Sequence, residues 1–129
     1  MNKILVEVSI GELLDKISIL EIKLDKIKDS ENLKFISNEH SILKKQLDNN
    51  VKSDDKLVKF FQSLKEINEK LWVIEDEKRQ CEKDKDFGEQ FILLSRDVHF
   101  LNDERAKIKL DINNHTGSSI KEIKEYTSY

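Results

Sequence analysis

The chain has no proline, three glycines and one cysteine in 129 residues. Without proline nothing forces a helix to kink or stop, and so few glycines leave few places where the backbone reverses freely. A sheet-rich domain needs many such turns, so the composition favours long helices. The lone Cys81 excludes an internal disulfide and fits a reducing compartment. Its neighbours Gln80, Glu82 and Asp84 offer no positive charge to stabilise a thiolate, which argues against a nucleophile. No stretch approaches the ~20 apolar residues of a membrane span. The opening segment Met1 to Val8 lacks the apolar run and cleavage site of a signal peptide. A cytoplasmic location is expected. No basic tract calls for a nucleic-acid partner. The three histidines have no i, i+4 pair and no HExxH-like pattern, so neither a metal nor another cofactor is expected.

What is present is charge and hydrophobicity in nearly equal amounts, 38% and 37%, with a net charge of −3. The apolar residues recur at helical spacing, which marks amphipathic helices rather than disorder. Lys3 to Val8 reads as a short extended arm packed on the bundle, spanning residues 1–8. Ser9 and Glu12 form a capping box that opens a helix running to about Asp29, with Ile10, Leu13, Leu14, Ile17, Leu20, Leu24 and Ile27 inward. A second helix is predicted from Asn32 to Leu47, with Leu33, Ile36, His40, Leu43 and Leu47 on one side. Ser53 is the expected N-cap of a third, about Asp54 to Lys83. A fourth covers Phe87 to Asn113. Residues 113–119 read as a turn, with Gly117 suited to positive φ, before a short terminal helix opened by Ser119 and Glu122. One all-α domain over residues 1–129 follows, an antiparallel bundle of four to five helices with a long helical hairpin. The heptad-like spacing also permits a coiled coil.

Several polar residues fall where carbon is expected. Asn102, Arg105 and Lys109 sit at i, i+3 and i+7 on the fourth helix, among Phe91, Val98 and Ile112. Glu21 interrupts the stripe of the first helix, and Asn68, Glu75 and Arg79 lie beside Leu64, Leu71 and Trp72 on the third. Charges on a core face are costly unless paired. Glu21 and Glu75 facing Arg79, Arg105 and Lys109 read either as an ion-pair network that fixes helix register or as a pocket whose surplus cation holds an anion. Trp72 would be core, or a wall that stacks on a ligand. Gly117 and Ser118 read as a helix cap, or as amides and hydroxyls cradling an anion.

Three segments carry a resemblance: GELLDKISILEIK from Gly11, LWVIEDEKR from Leu71, and FILLSRDVHFLNDERAKIKLDINNHTGSSIKEIKEY from Phe91. In order and spacing they resemble domain-of-unknown-function family 6165, small bacterial proteins of unassigned activity. The resemblance implies that Glu21, Trp72, Glu75, Asp76, Arg79, Arg96, Asn102, Asp103, Arg105, Lys109, Asn113, Gly117 and Ser118 are pattern positions. Lys78 and His99 stand where that pattern has an apolar and an aromatic residue. It also implies a link to surface polysaccharide synthesis and a glycosyltransferase-like protein partner, since members occur beside such sequences.

The expected function is a non-enzymatic binding or accessory module with an anion site between helices, for a sugar phosphate, nucleotide or carboxylate. The candidate ligand-binding residues are Glu21, Trp72, Glu75, Arg79, Asn102, Arg105, Lys109, Gly117 and Ser118. A homo-oligomer is expected, with Ile92, Phe100 and Leu110 able to form a second interface. The alternatives are a small helical enzyme with chorismate-mutase-like chemistry, using Arg79, Arg105 and Lys109 as clamps, or a ligand-free coiled-coil scaffold.

Overall fold

The computed structural model describes residues 2–129, so Met1, the first residue of the expected arm, lies outside the described residues. Four helices form: α1 (Ile10–Lys26), α2 (Ser30–Asn50), α3 (Asp55–Asp84) and α4 (Glu89–Thr116). Each of the first three starts on a side-chain cap. The Ser9 hydroxyl accepts from the Glu12 amide at 3.0 Å, and Asp29 accepts from the Asn32 amide at 2.9 Å. The cap of α3 is Asp54, not Ser53, and it accepts from the Leu57 amide at 2.7 Å. Its carboxylate also reaches His115 at the end of α4, a second contact at 2.8 Å that ties two helix termini together. Lys85 and Gly117, both at positive φ, end α3 and α4.

α1 is the central element. It packs against α2, α3 and α4, whereas the backbone of α2 closely approaches α1 alone. α3 and α4 form the long hairpin. The core is Leu14, Leu57, Leu64 and Ile112, flanked by Phe60, Phe61, Leu47 and Ile108. Gly11 lets α1 lie directly on α4: a Cβ there would stand 2.5 Å from the Lys109 carbonyl oxygen. With 17 residues against 30, α1 spans roughly 25 Å of a hairpin roughly 45 Å long. The far half of the hairpin is therefore two helices wide, and Phe87, Ile92 and Leu93 are exposed there.

Two expectations need correction. The terminal helix does not form, and residues 118–129 are without regular structure; α4 itself continues through the expected turn to Thr116. A segment of about ten residues is marginal as a helix unless a groove receives its apolar side. Here Ile123 and Tyr126 stay exposed, and Glu122 is taken by Lys109 instead of closing a capping box. The N-terminal arm is irregular, and Ile4, Leu5 and Val6 project into solvent instead of packing on the bundle. A single arm finds no neighbouring strand to hold it.

Candidate functional site

Asp15 is the centre of the buried polar cluster. Its side chain is 1% exposed, and Oδ1 accepts from Arg105 Nε at 2.9 Å and from the Asn68 amide at 2.9 Å. Oδ2 accepts from Arg105 Nη2. This fork-to-fork pairing is the geometry in which guanidinium and carboxylate bind most strongly. Asn68 also donates to the Ser18 hydroxyl at 2.8 Å, which in turn donates to the Asp15 carbonyl. The bonds to Asp15 hold the Arg105 guanidinium above its ordinary pKa, against the opposing effect of burial.

One helical turn further along α4, Lys109 donates to Glu12 at 2.6 Å and to Glu122 at 3.0 Å, with Asp15 at 4.0 Å. Burial pulls the ammonium down, but the bonds to Glu12 and Glu122 outweigh it and leave its pKa raised. The same contacts begin with α1's own N-terminus. Asn113 Oδ1 accepts from the Gly11 amide at 2.7 Å and the Ser118 hydroxyl from the Ile10 amide at 3.2 Å. Ser118 also donates to the Ile120 carbonyl at 2.7 Å. Asn113 and Ser118 thus fasten α4 to α1, and their side-chain oxygens meet the free amides of α1's first turn. Among the described residues, every buried side-chain nitrogen or oxygen has a hydrogen-bond partner.

Glu21 stands apart from this cluster. It joins three helices, accepting from Lys65 at 3.3 Å and sharing a hydrogen bond of 3.2 Å with His40. The remaining candidates meet in an open groove of about 490 Å³ above Asn68, where Trp72, Glu75, Asp76 and Arg79 of α3 face Asn102 and Arg105 of α4. Ile19 and Ile22 of α1 close its inner end. Arg105 joins the two sites: Nε and Nη2 are committed to Asp15, while Nη1 makes a long 3.4 Å contact with Asn102. Arg79, Glu75 and Asp76 form no ion pair among the described residues. The groove therefore brings together Trp72, Glu75, Arg79, Asn102 and Arg105. It leaves out Glu21, Lys109, Gly117 and Ser118.

Glu12 and Glu122, expected only as capping residues, and Asp15, not expected inside, supply the carboxylates that face Lys109 and Arg105, so these two cations lie in an ion-pair network. Asp15, Ser18 and Ile22 recur at helical spacing beside the Leu14–Ile17 line, which was the available signal for a second buried face. Among the described residues no His, Cys, Asp and Glu cluster could hold a metal, and no helix is long and apolar enough to cross a membrane. Neither the comparison with curated proteins nor that with solved structures finds a match. The family model of DUF6165, a family of unknown function, matches residues 4–129, and the chain belongs to that family.

Proposed function

We propose that the protein is a non-enzymatic binding module whose α3–α4 groove takes a polyhydroxylated anion of the sugar-phosphate class. The observation that carries this reading is the unpaired Arg79 beside Trp72, in the same groove as an Arg105 already fixed by Asp15. A guanidinium held by a buried carboxylate does not need to be ordered when a ligand arrives, which lowers the entropic cost of binding. Arg79 supplies the charge for a phosphate. Glu75 and Asp76, one turn from Arg79 on α3, repel a bare anion but accept hydrogen bonds from hydroxyl groups, so the groove favours a ligand that carries hydroxyls beside its anionic group. The Trp72 ring offers an apolar wall for a sugar face. This ligand class agrees with the link to surface polysaccharide synthesis that the family resemblance implies. The clamp of a helical mutase would need Arg105 and Lys109 free for a dicarboxylate; both are engaged by carboxylates of the chain itself, which favours binding over turnover.

Titration calorimetry with glucose 1-phosphate, glucose and inorganic phosphate tests the reading. Glucose 1-phosphate is expected to bind at least tenfold more tightly than either of the others. Arg79→Ala should weaken it tenfold or more with the thermal midpoint unchanged, since that side chain is exposed, while Trp72→Ala should weaken it as much and also lower the midpoint, because the indole is half-buried. Equal affinity for phosphate alone, or binding indifferent to Arg79, would defeat the proposal.

A further inference from the structure

Among the residues lining the α3–α4 groove, Asn68 is the one polar residue that is buried, at 5% exposed. Its side-chain nitrogen donates to Asp15 Oδ1 at 2.9 Å and to the Ser18 hydroxyl at 2.8 Å, which uses both of its protons. The reversed carboxamide would set its oxygen against the Asp15 carboxylate, acceptor against acceptor. The network therefore fixes which end of the group is which. Oδ1 is left without a partner among the described residues. Since every buried side-chain oxygen there has one, Oδ1 is the atom of Asn68 that reaches the groove.

An amide oxygen accepts and does not donate. Arg105 has the opposite character. Its Nε meets the same Asp15 oxygen as Asn68, at 2.9 Å, and its Nη1 has only the long 3.4 Å contact with Asn102. The groove floor thus holds a fixed acceptor beside a fixed donor. A hydroxyl satisfies both at once, giving its proton to Asn68 and accepting one from Arg105. A phosphate or carboxylate oxygen has no proton to give and is repelled by the Asn68 carbonyl.

Asn68, Trp72 and Arg79 lie on one face of α3, the first and last about 16 Å apart along the helix axis. A sugar ring on Trp72 with its phosphate toward Arg79 turns its opposite edge toward Asn68. In glucose 1-phosphate that edge carries the 4-hydroxyl. We infer that Asn68 is the specificity-determining residue of the groove: its Oδ1 accepts from the ligand hydroxyl that lies across the sugar ring from the phosphate, while Arg105 donates to the same hydroxyl. The assignment rests on the sugar-phosphate reading of the groove and adds to it the direction in which the ligand lies.

Titration calorimetry of the full chain with glucose 1-phosphate, its 4-deoxy analogue and its 4-deoxy-4-fluoro analogue tests this. Both analogues are expected to bind roughly tenfold or more weakly than the parent, because neither gives the Asn68 oxygen a proton. Asn68→Ala should bring all three to equal affinity. That variant also loses its bonds to Asp15 and Ser18, so NMR of the unaltered protein supplies a reading that needs no substitution. The side-chain amide signals of Asn68 should move on adding glucose 1-phosphate and stay in place with the 4-deoxy analogue or inorganic phosphate. Binding that needs Arg79 but treats parent and 4-deoxy analogue alike overturns the assignment and leaves the groove reading standing. A fluoro analogue as tight as the parent also overturns it, because the hydroxyl proton then has no acceptor. Glucose 1-phosphate that fails to bind removes both.

Discussion

At Asp15 a single carboxylate serves three donors on two other helices while 1% exposed. Removing it leaves Asn68 and two nitrogens of Arg105 without their acceptor, and Arg105 is too enclosed for water to replace the bond in full. Asp15→Ala should therefore lower the unfolding free energy by about 3 kcal/mol, the lower end of what breaking a buried pair costs. Arg105→Ala should cost at least as much, because it strands the deeper of the two charges. Urea unfolding measures both, and Arg79→Ala is the control, expected within about 0.5 kcal/mol of the unaltered protein as an exposed site. Equal effects for Arg79 and Arg105 would contradict the division between an architectural guanidinium and a ligand-facing one.

Among the elements, α2 differs from the other three in having no fully buried residue. Its polar tie to α1 is the half-exposed Glu21–His40 pair, and its apolar line is only partly covered. Segments with few buried contacts open at lower free energy than the core. Amide hydrogen exchange should therefore be fastest in the interior of α2, with α1 and the Leu57–Leu71 part of α3 most protected. Protection in α2 equal to that of α1 would refute this ranking. The existence and approximate span of all four helices were legible in sequence, because apolar spacing and caps such as Ser9 are local signals. The role of α1 was not. A helix touched by three others buries more than one stripe, and the spacing of Leu14, Ile17 and Leu20 does not reveal that Asp15 and Ser18 are inside as well. The terminal helix failed for the converse reason. Ile120, Ile123 and Tyr126 have the right period, but whether a groove receives them is a tertiary fact. The groove residues Trp72, Glu75, Arg79, Asn102 and Arg105 were legible as misplaced polar groups; their separation from Lys109 depends on the carboxylates that α1 and the tail supply.

For the whole molecule, the tail beyond Gly117 runs back along α4 and is fixed at three places. Ser118 meets the start of α1, Glu122 meets Lys109, and Tyr129 donates to Asp103 while packing against His99 and Phe100. The middle tie has a pH dependence whose sign follows from Glu122. Its carboxyl lies below the ordinary value, first because Lys109 donates to it and then through the ammonium's charge. A detached tail therefore takes up the proton more readily than a docked one. The tie is at full strength above the ordinary glutamate pKa of about 4.3 and is lost as pH falls through the lower, docked value. Acid should release the tail before it unfolds the helices, because the tail has little apolar burial to hold it once Glu122 is neutral. The NMR signals of Ile123 and Tyr126 are then expected to move to free-peptide positions while helical circular dichroism is still intact, and Glu122→Gln should produce the same shift at neutral pH. Tail signals that stay unchanged until the helices themselves melt would show that Tyr129 and Ser118 hold the segment without Glu122. In that case Lys109 would still be matched by Glu12, and the buried cluster would not register the loss.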